Sequence, residues 1–85
     1  MKTTWGKWEG DDTYMTWDIF CSCCGHLVCA LGVELEGEEY AWWLDMELGF
    51  KDSTQTSDGY CKTLAAAKRA ATAEAKRALK EMGME

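Results

Sequence analysis

The sequence predicts an α+β fold in which a three- or four-stranded antiparallel β-meander carries one C-terminal α-helix on one face. Residues 63–82 consist largely of Ala, Leu, Lys, Arg and Glu, without Gly or Pro, which is typical of a helix. Three segments upstream alternate apolar and polar side chains with a period of two, which is typical of strands with one buried face. A chain of 85 residues supports one core, so we expect one domain over residues 1–85.

The N-terminal segment 1–13 has the weakest pattern, and two structures fit it. Trp5 and Trp8 favour a short first strand, with residues 9–12 as its turn. An ordered arm fits the same residues equally well, so both alternatives stay open.

The β-meander is predicted over residues 14–48. Its strands cover residues 14–23, 27–35 and 40–48, and its turns cover residues 24–26 and 36–39. Residues 49–62 contain two Gly and several Ser, Thr and Asp, so we interpret them as a polar loop that leads into the helix.

One register makes one side of the meander continuously apolar. If Cys21 faces Cys29 and Leu35 faces Tyr40, the apolar residues of all three strands lie on the same side. A slip by one residue in either hairpin would turn these side chains to the other side. We therefore expect the helix to cover this side.

The predicted helix has one stripe of small and aliphatic side chains at helical spacing. The stripe contains Leu64, Ala67, Ala71, Ala75, Ala78, Leu79 and Met82. Such a stripe brings the helix axis close to the sheet, so the bulk of the core must come from the strands. Thr63 is suited to cap the first turn, and Gly83 is suited to end the helix.

The other side of the meander combines apolar and acidic side chains. Trp43, Phe20 and Val28 alternate onto this side and have no helix to cover them. The carboxylates around them are Asp18, Glu34, Asp45 and Glu47. An apolar centre with a charged rim is typical of a protein-binding surface. Two alternatives stay open: Trp5 and Trp8 fold over this side and bury it, or the exposure has no function.

Charge is divided unevenly along the chain. Residues 1–60 contain three Lys and twelve Asp or Glu, a net charge of −9, whereas residues 61–85 have a net charge of +3. The acidic part would repel a phosphate backbone, which argues against direct nucleic-acid binding. It would attract a protein partner with a basic surface. Solubility alone is the alternative explanation of the negative charge.

The cysteine-rich segment from Cys21 to Cys29 offers zinc-type ligands at a spacing that does not suit zinc. Zinc ribbons separate their two ligand pairs by about 12 or more residues, so that two knuckles face each other. We therefore predict no metal and no cofactor, and we interpret Cys21 and Cys29 as small buried apolar side chains. The alternative is a small zinc protein, whose ligands would be Cys23, Cys24, His26 and Cys61.

No constellation of residues indicates catalysis. Cys24 and His26 place a thiol near an imidazole, but a hairpin tip offers neither a held base nor an oxyanion site. The sequence also contains no glycine-rich phosphate loop. We therefore predict that the protein is not an enzyme.

The sequence shows no segment of the kind that directs export or spans a membrane. No apolar run follows Met1, and the longest one, at residues 27–33, is too short to cross a bilayer. Five cysteines are an odd number, which argues against a closed disulfide framework. We therefore expect a cytoplasmic protein with reduced thiols and no membrane contact.

The C-terminal part of the chain resembles a known family. Asp58-Gly59-Tyr60, followed by Thr63-Leu64 and Ala67 at the start of an Ala-rich helix, is similar to the end of HicB antitoxin domains. These partial RNase-H-like domains carry a Gly…Thr-Leu-x-x-Ala pattern in their last strand and helix. In size, charge and build the chain also resembles small acidic phage proteins that inhibit host defence, anti-CRISPR proteins among them. These resemblances imply a role in binding and neutralising another protein.

The most specific function that fits these features is a non-enzymatic, phage-encoded inhibitor of a bacterial defence complex, active in the host cytoplasm. Its acidic, aromatic-centred sheet side would cover a basic, nucleic-acid-binding surface of that complex. Beside the zinc protein, the alternative is a homodimeric antitoxin or structural module, joined through an edge strand or the uncovered side.

Overall fold

The computed structural model describes residues 3–46, 54–81 and 83, and it shows an antiparallel sheet of six strands with one helix. The elements are β1 (Thr3–Trp5), β2 (Glu9–Asp11), β3 (Tyr14–Cys21), β4 (Leu27–Glu36), β5 (Glu39–Met46), β6 (Thr54–Cys61) and α1 (Leu64–Glu81). Strands β3 to β6 are neighbours in chain order, and β1 and β2 both pair with the outer edge of β3. The α+β class is confirmed, but the sheet has more strands than the three or four predicted.

Strand β6 occupies most of the segment that was predicted as a polar loop over residues 49–62, so that prediction is wrong. It pairs antiparallel with β5, with Trp42 opposite Gly59. A Cβ on Gly59 would lie 2.8 Å from the indole nitrogen of Trp42, so the large ring fills the space over this strand. Since β6 needs no apolar side chain at that position, its sequence lacks the alternation that reveals a strand. Residues 47–53, which include the predicted end of the third strand, lie outside the described residues.

The described N-terminal residues form two short strands rather than an arm. β1 places Trp5 opposite Ile19, and β2 places Asp11 opposite Tyr14. The turn follows β2 instead of covering residues 9–12 as predicted. Its cause is the Asp11 carboxylate, which accepts hydrogen bonds from the backbone N–H groups of Thr13 at 2.9 Å and Tyr14 at 3.2 Å.

The β3–β4 hairpin is shifted by two residues from the predicted register. Ile19, and not Cys21, lies opposite Cys29, and a β-bulge follows between Ile19 and Phe20. β3 ends at Cys21 because the loop closes there: the Cys21 N–H donates to the His26 carbonyl at 2.8 Å. A shift by an even number keeps side chains on the predicted side, so the division into two faces survives.

The predicted β4–β5 register is confirmed, beginning with Leu35 opposite Tyr40. The turn is shorter than predicted, because Glu36 and Glu39 still pair and only two residues remain between them. Gly37 has a φ of 65° in this turn, a conformation that glycine adopts without a steric penalty.

Helix α1 lies across the side of the sheet that was predicted for it. The Thr63 hydroxyl accepts a hydrogen bond from the Ala66 N–H at 3.1 Å and so caps the first turn, as predicted. Gly83 has a φ of 74°, and its N–H donates to the Lys80 carbonyl at 3.1 Å, as expected at a helix end. Leu64 of the predicted stripe is half-buried, and Met82 lies outside the described residues. The buried residues of α1 are Ala67, Ala71, Ala75, Ala78 and Leu79.

The core lies between α1 and the sheet, and the strands contribute most of its volume. Its largest fully buried side chains are Ile19, Leu31, Leu44, Leu79, Val33 and Cys29, of which only Leu79 comes from the helix. The alanines of α1 let the helix approach these large strand side chains closely. Among the described residues, no helix combines the length and the hydropathy needed to cross a bilayer.

Candidate functional site

The surface of the sheet that α1 does not cover, which we call the open face, has Trp43 at its centre. Trp43 in β5 is opposite Gly32 in β4, and its indole ring lies over that glycine, where any Cβ would collide with the ring. The Tyr14 ring lies beside it, with 6.0 Å between centroids and 45° between planes. Trp43 is half-buried and Tyr14 is 48% exposed, so this aromatic centre is accessible from outside.

Every acidic residue of the six described strands lies on the open face. Strand alternation and the observed pairing place all of these carboxylates on the Trp43 side of the sheet. They are Glu9, Asp11, Asp18, Glu34, Glu36, Glu39, Asp45 and Asp58. None of them is buried, and the same strands contain no Lys or Arg. The open face is therefore strongly acidic, whereas the basic residues of the C-terminal part lie mainly in α1.

Trp5 and Trp8 do not cover the open face. Their rings pack against Trp17, with centroid separations of 4.9 Å and 5.2 Å, and all three lie against the core on the helix side. The Lys68 ammonium of α1 lies 5.5 Å from the centre of the Trp8 ring, on that same side. The alternative in which these residues bury the open face is therefore wrong.

The carboxylates predicted to surround the binding surface lie on the open face where the structure describes them. Asp18 and Asp45 are both opposite Ala30, one from each neighbouring strand. Glu34 is half-buried on the same face, and Glu47 lies outside the described residues.

Two of the predicted apolar residues do not join Trp43. Val28 is 4% exposed and belongs to the buried core cluster, so its assignment to the exposed surface is wrong. Val28 lies at the end of the hairpin where the β3–β4 register changes, between Ile19 and Phe20. At such a bulge, strict alternation no longer predicts which side of the sheet a side chain occupies. Phe20 is half-buried and lies about 13 Å along β3 from Thr16, the residue level with Trp43.

Tyr14, Asp58 and Tyr60 join the Trp43 centre instead, and the sequence did not identify them as site residues. Tyr60 is 63% exposed on β6, the strand next to that of Trp43. A surface depression of about 180 Å³ lies there, lined by Glu36, Asp58 and Tyr60 among others. Asp58 and Tyr60 are two residues apart, a spacing that places both on one face of a strand. The polar composition of the surrounding segment favoured a loop, so this spacing was not interpreted as a strand.

The tip of the β3–β4 hairpin brings three thiols together in what we call the thiol cluster: Cys21, Cys23 and Cys24. Their Sγ atoms all lie within 4.8 Å of one another, with 2.9 Å between those of Cys21 and Cys23. Cys21 is buried, whereas Cys23 and Cys24 are exposed. The hydrogen bond between the first two thiols lowers the pKa of Cys21 to about 7 and raises the pKa of Cys23 to about 11. Cys21 is thus the thiol of the two that ionises more readily near neutral pH.

The ligand set predicted for a zinc protein is only partly assembled. Within the described residues, Cys23 and Cys24 belong to the thiol cluster, but His26 and Cys61 do not. Cys61 ends β6, and two strands separate β6 from β3, which is about 14 Å at the usual strand spacing. Cys21 joins the cluster instead, because β3 ends there and the loop turns back.

Cys29 is the core residue that the sequence predicts. It is fully buried, and burial raises its pKa to about 12, so it remains a protonated apolar side chain. Cys21 is 5% exposed, so the burial predicted for both residues is confirmed. No disulfide joins any of the five cysteines, all of which lie in the described part of the chain.

Comparisons of the chain with protein-family models, with curated proteins and with solved structures find no match. A functional assignment therefore depends on the residues themselves and on how the fold arranges them.

Proposed function

We propose that this chain is a non-enzymatic protein-binding module whose open face docks on a basic surface of a partner protein. One observation carries the proposal: all acidic residues of the described strands share a single uncovered face with the aromatic centre around Trp43. An apolar centre within a charged rim is the usual composition of a protein interface.

The charge of the open face favours a basic partner. Its strands hold carboxylates and no cationic side chain, so a positively charged surface would be attracted and a nucleic acid repelled. Strands β3 to β6, about 4.8 Å apart and about eight residues long, cover about 500 Å², and the short strands β1 and β2 at the edge of β3 bring the area to about 600 Å². This approaches the area of about 800 Å² that one partner buries in a typical specific interface.

The aromatic centre supplies an apolar contact area, which the carboxylates do not provide. Because Gly32 has no side chain, the Trp43 ring lies against the sheet backbone with Tyr14 beside it. A ring held in place loses little conformational freedom on binding, and tryptophan is a common hot-spot residue. Truncating Trp43 should cost about 2 kcal/mol of binding free energy or more, which is about a 30-fold loss of affinity.

The partner class we propose is a protein whose basic surface normally binds nucleic acid. A flat, dense set of carboxylates can occupy such a surface in place of phosphates, and the chain would then inhibit its partner by exclusion. The phage origin and the bacterial defence complex, which are suggested by resemblance, are narrower forms of this proposal.

The test uses the immobilised chain and a nuclease-treated bacterial lysate. The reversal Asp45→Lys changes the open face, and Glu81→Lys gives the same charge change at the end of α1, on the other side of the sheet. We expect the wild-type chain and the control to retain basic proteins. Duplex DNA or RNA, when it is added, should release these proteins by competing for their basic surface. The open-face variant should lose them.

Two outcomes would overturn the proposal. One is retention of the same proteins by both reversed variants. The other is retention of only a second copy of the chain, with sedimentation showing a dimer that the open-face reversal disrupts; this result would favour the homodimeric module.

A further inference from the structure

The thiol cluster owes its compact form to the loop that closes the β3–β4 hairpin. The Gly25 N–H donates to the Cys21 carbonyl at 2.8 Å, and Gly25 has a φ of 75°, which favours glycine. This loop turns the chain back at the end of β3 and brings Cys23 and Cys24 to Cys21. In a continued strand, Cys24 would point to the face opposite that of Cys21 and Cys23, so the three sulfur atoms could not meet.

We propose that the thiol cluster binds one Cu(I) ion through the three sulfur atoms of Cys21, Cys23 and Cys24. This site is independent of the proposed docking function of the open face.

The sulfur positions fit a three-coordinate ion. With metal–sulfur bonds of about 2.3 Å, a trigonal site needs sulfur atoms about 4 Å apart. All three sulfurs lie within 4.8 Å of one another, so the cluster already has the required size. The 2.9 Å contact between Cys21 and Cys23 must widen by about 1 Å. Cys23 is exposed in the loop and has room for this movement.

The number and type of donors select the metal. Thiolate sulfur is a soft donor that favours Cu(I), Zn(II) and iron–sulfur clusters over hard cations. Structural zinc takes four protein ligands. Among the described residues, no His, Asp or Glu side chain and no further Cys joins the three sulfur atoms in the group that lies within 4.8 Å. Three-coordinate sulfur suits Cu(I), whereas zinc would have to complete its shell with water. Each thiol that binds the ion releases its proton to the solvent.

The ion would not be a structural element of the fold. Cys23 and Cys24 are exposed and lie outside the core cluster, and Cys21 is already buried in that cluster without an ion. After removal of the ion, the chain should lose only the stabilisation that ligand binding adds and should remain folded, unlike a small domain that loses a structural zinc. A chain that stays folded after treatment with a chelator would thus distinguish this site from a structural metal site.

The test is an anaerobic titration of the reduced full chain with Cu(I), in competition with a chromophoric Cu(I) chelator. We expect one ion per chain and the ultraviolet absorption of Cu(I)–thiolate bonds. Cys23→Ser and Cys24→Ser should each weaken binding by about a hundredfold or more, since even partners outside the coordination shell contribute ten- to hundredfold. Cys61→Ser, which removes a distant thiol, should bind like the wild type.

Three results would overturn the inference. The first is an equal loss of binding in the Cys61→Ser control, which would indicate unspecific thiol binding. The second is Zn(II) that displaces Cu(I) from the site. The third is the formation of a Cys21–Cys23 disulfide on mild oxidation, combined with a failure of the reduced protein to bind Cu(I). Circular dichroism of each serine variant establishes that a loss of binding is not a loss of fold.

Discussion

The two faces of the sheet use alternate residues of the same strands for different purposes. In β5, Trp42 and Leu44 contribute to the side under α1, whereas Trp43 and Asp45 lie on the open face. The helix side buries large aliphatic residues against alanines, and the open face collects the strand carboxylates around Trp43. Stability and the proposed binding therefore depend on different, interleaved side chains, and substitutions can change one without the other.

The largest effect on stability is expected from a substitution that leaves a cavity in the core between α1 and the sheet. Leu79→Ala removes the one large, fully buried side chain of α1 and should lower the free energy of unfolding by about 2–5 kcal/mol. Leu35→Ala is the matched control, because Leu35 is 38% exposed, and it should cost about 1 kcal/mol or less. Denaturant unfolding measures both, and equal losses would show that the core is not where the structure places it.

A smaller loss is expected from overfilling the same side. Ala71 is fully buried where α1 meets the sheet, so Ala71→Leu should cost about 1–3 kcal/mol by overpacking. Ala73 is exposed on the same helix, and Ala73→Leu should change the free energy of unfolding by about 0.5 kcal/mol or less. If the two substitutions destabilise equally, the small-residue stripe of α1 does not face the sheet.

The smallest effect concerns the polar link between β6 and α1. Glu74 accepts hydrogen bonds from the Arg77 guanidinium at 2.8 Å and from the Ser57 hydroxyl at 2.7 Å. Chiefly because of Arg77, its pKa falls from an ordinary value of 4.5 to about 2. A carboxyl group with a lowered pKa stabilises the fold above pH 4.5 and loses that contribution as the pH falls towards 2.

We therefore expect Glu74→Gln to cost about 0.5–1.5 kcal/mol at neutral pH and nothing once the wild-type carboxyl is protonated. Unfolding curves between pH 7 and the acid range measure this convergence. Glu81→Gln is the control, since Glu81 pairs only with Arg77 among the described residues and is 67% exposed, so its curve should remain closer to the wild type. A Glu74→Gln curve parallel to the wild type would show that the link does not form.

The features that the sequence predicted correctly are those set by local composition and by alternation. The helix and its Thr63 cap depend on neighbouring residues, and the β4–β5 register depends on two strongly alternating strands. The division into a helix side and an open face also follows from alternation, and it survived a two-residue error in the β3–β4 register.

The features that the sequence did not predict depend on contacts between distant segments or on loop geometry. β6 was missed because Trp42 supplies the bulk over Gly59, so the strand itself is polar. The position of Trp5 is set by pairing with β3, which no pattern in residues 1–13 reveals. The thiol cluster depends on where β3 ends and on the conformation of Gly25, so the sequence alternative grouped Cys23 and Cys24 with His26 and Cys61 instead of with Cys21.

Adjacent substitutions in β5 test the division between the two faces most directly. Trp43 and Leu44 are neighbours that lie on opposite faces of the sheet, and the measurement is the free energy of unfolding of Trp43→Ala and of Leu44→Ala. We predict a loss of about 2–5 kcal/mol for Leu44→Ala, because Leu44 is fully buried. For Trp43→Ala we predict a loss of about 1 kcal/mol, with the folded state retained. A loss for Trp43→Ala that equals or exceeds that of Leu44→Ala would contradict the account, because Trp43 would then belong to the core rather than to a docking surface.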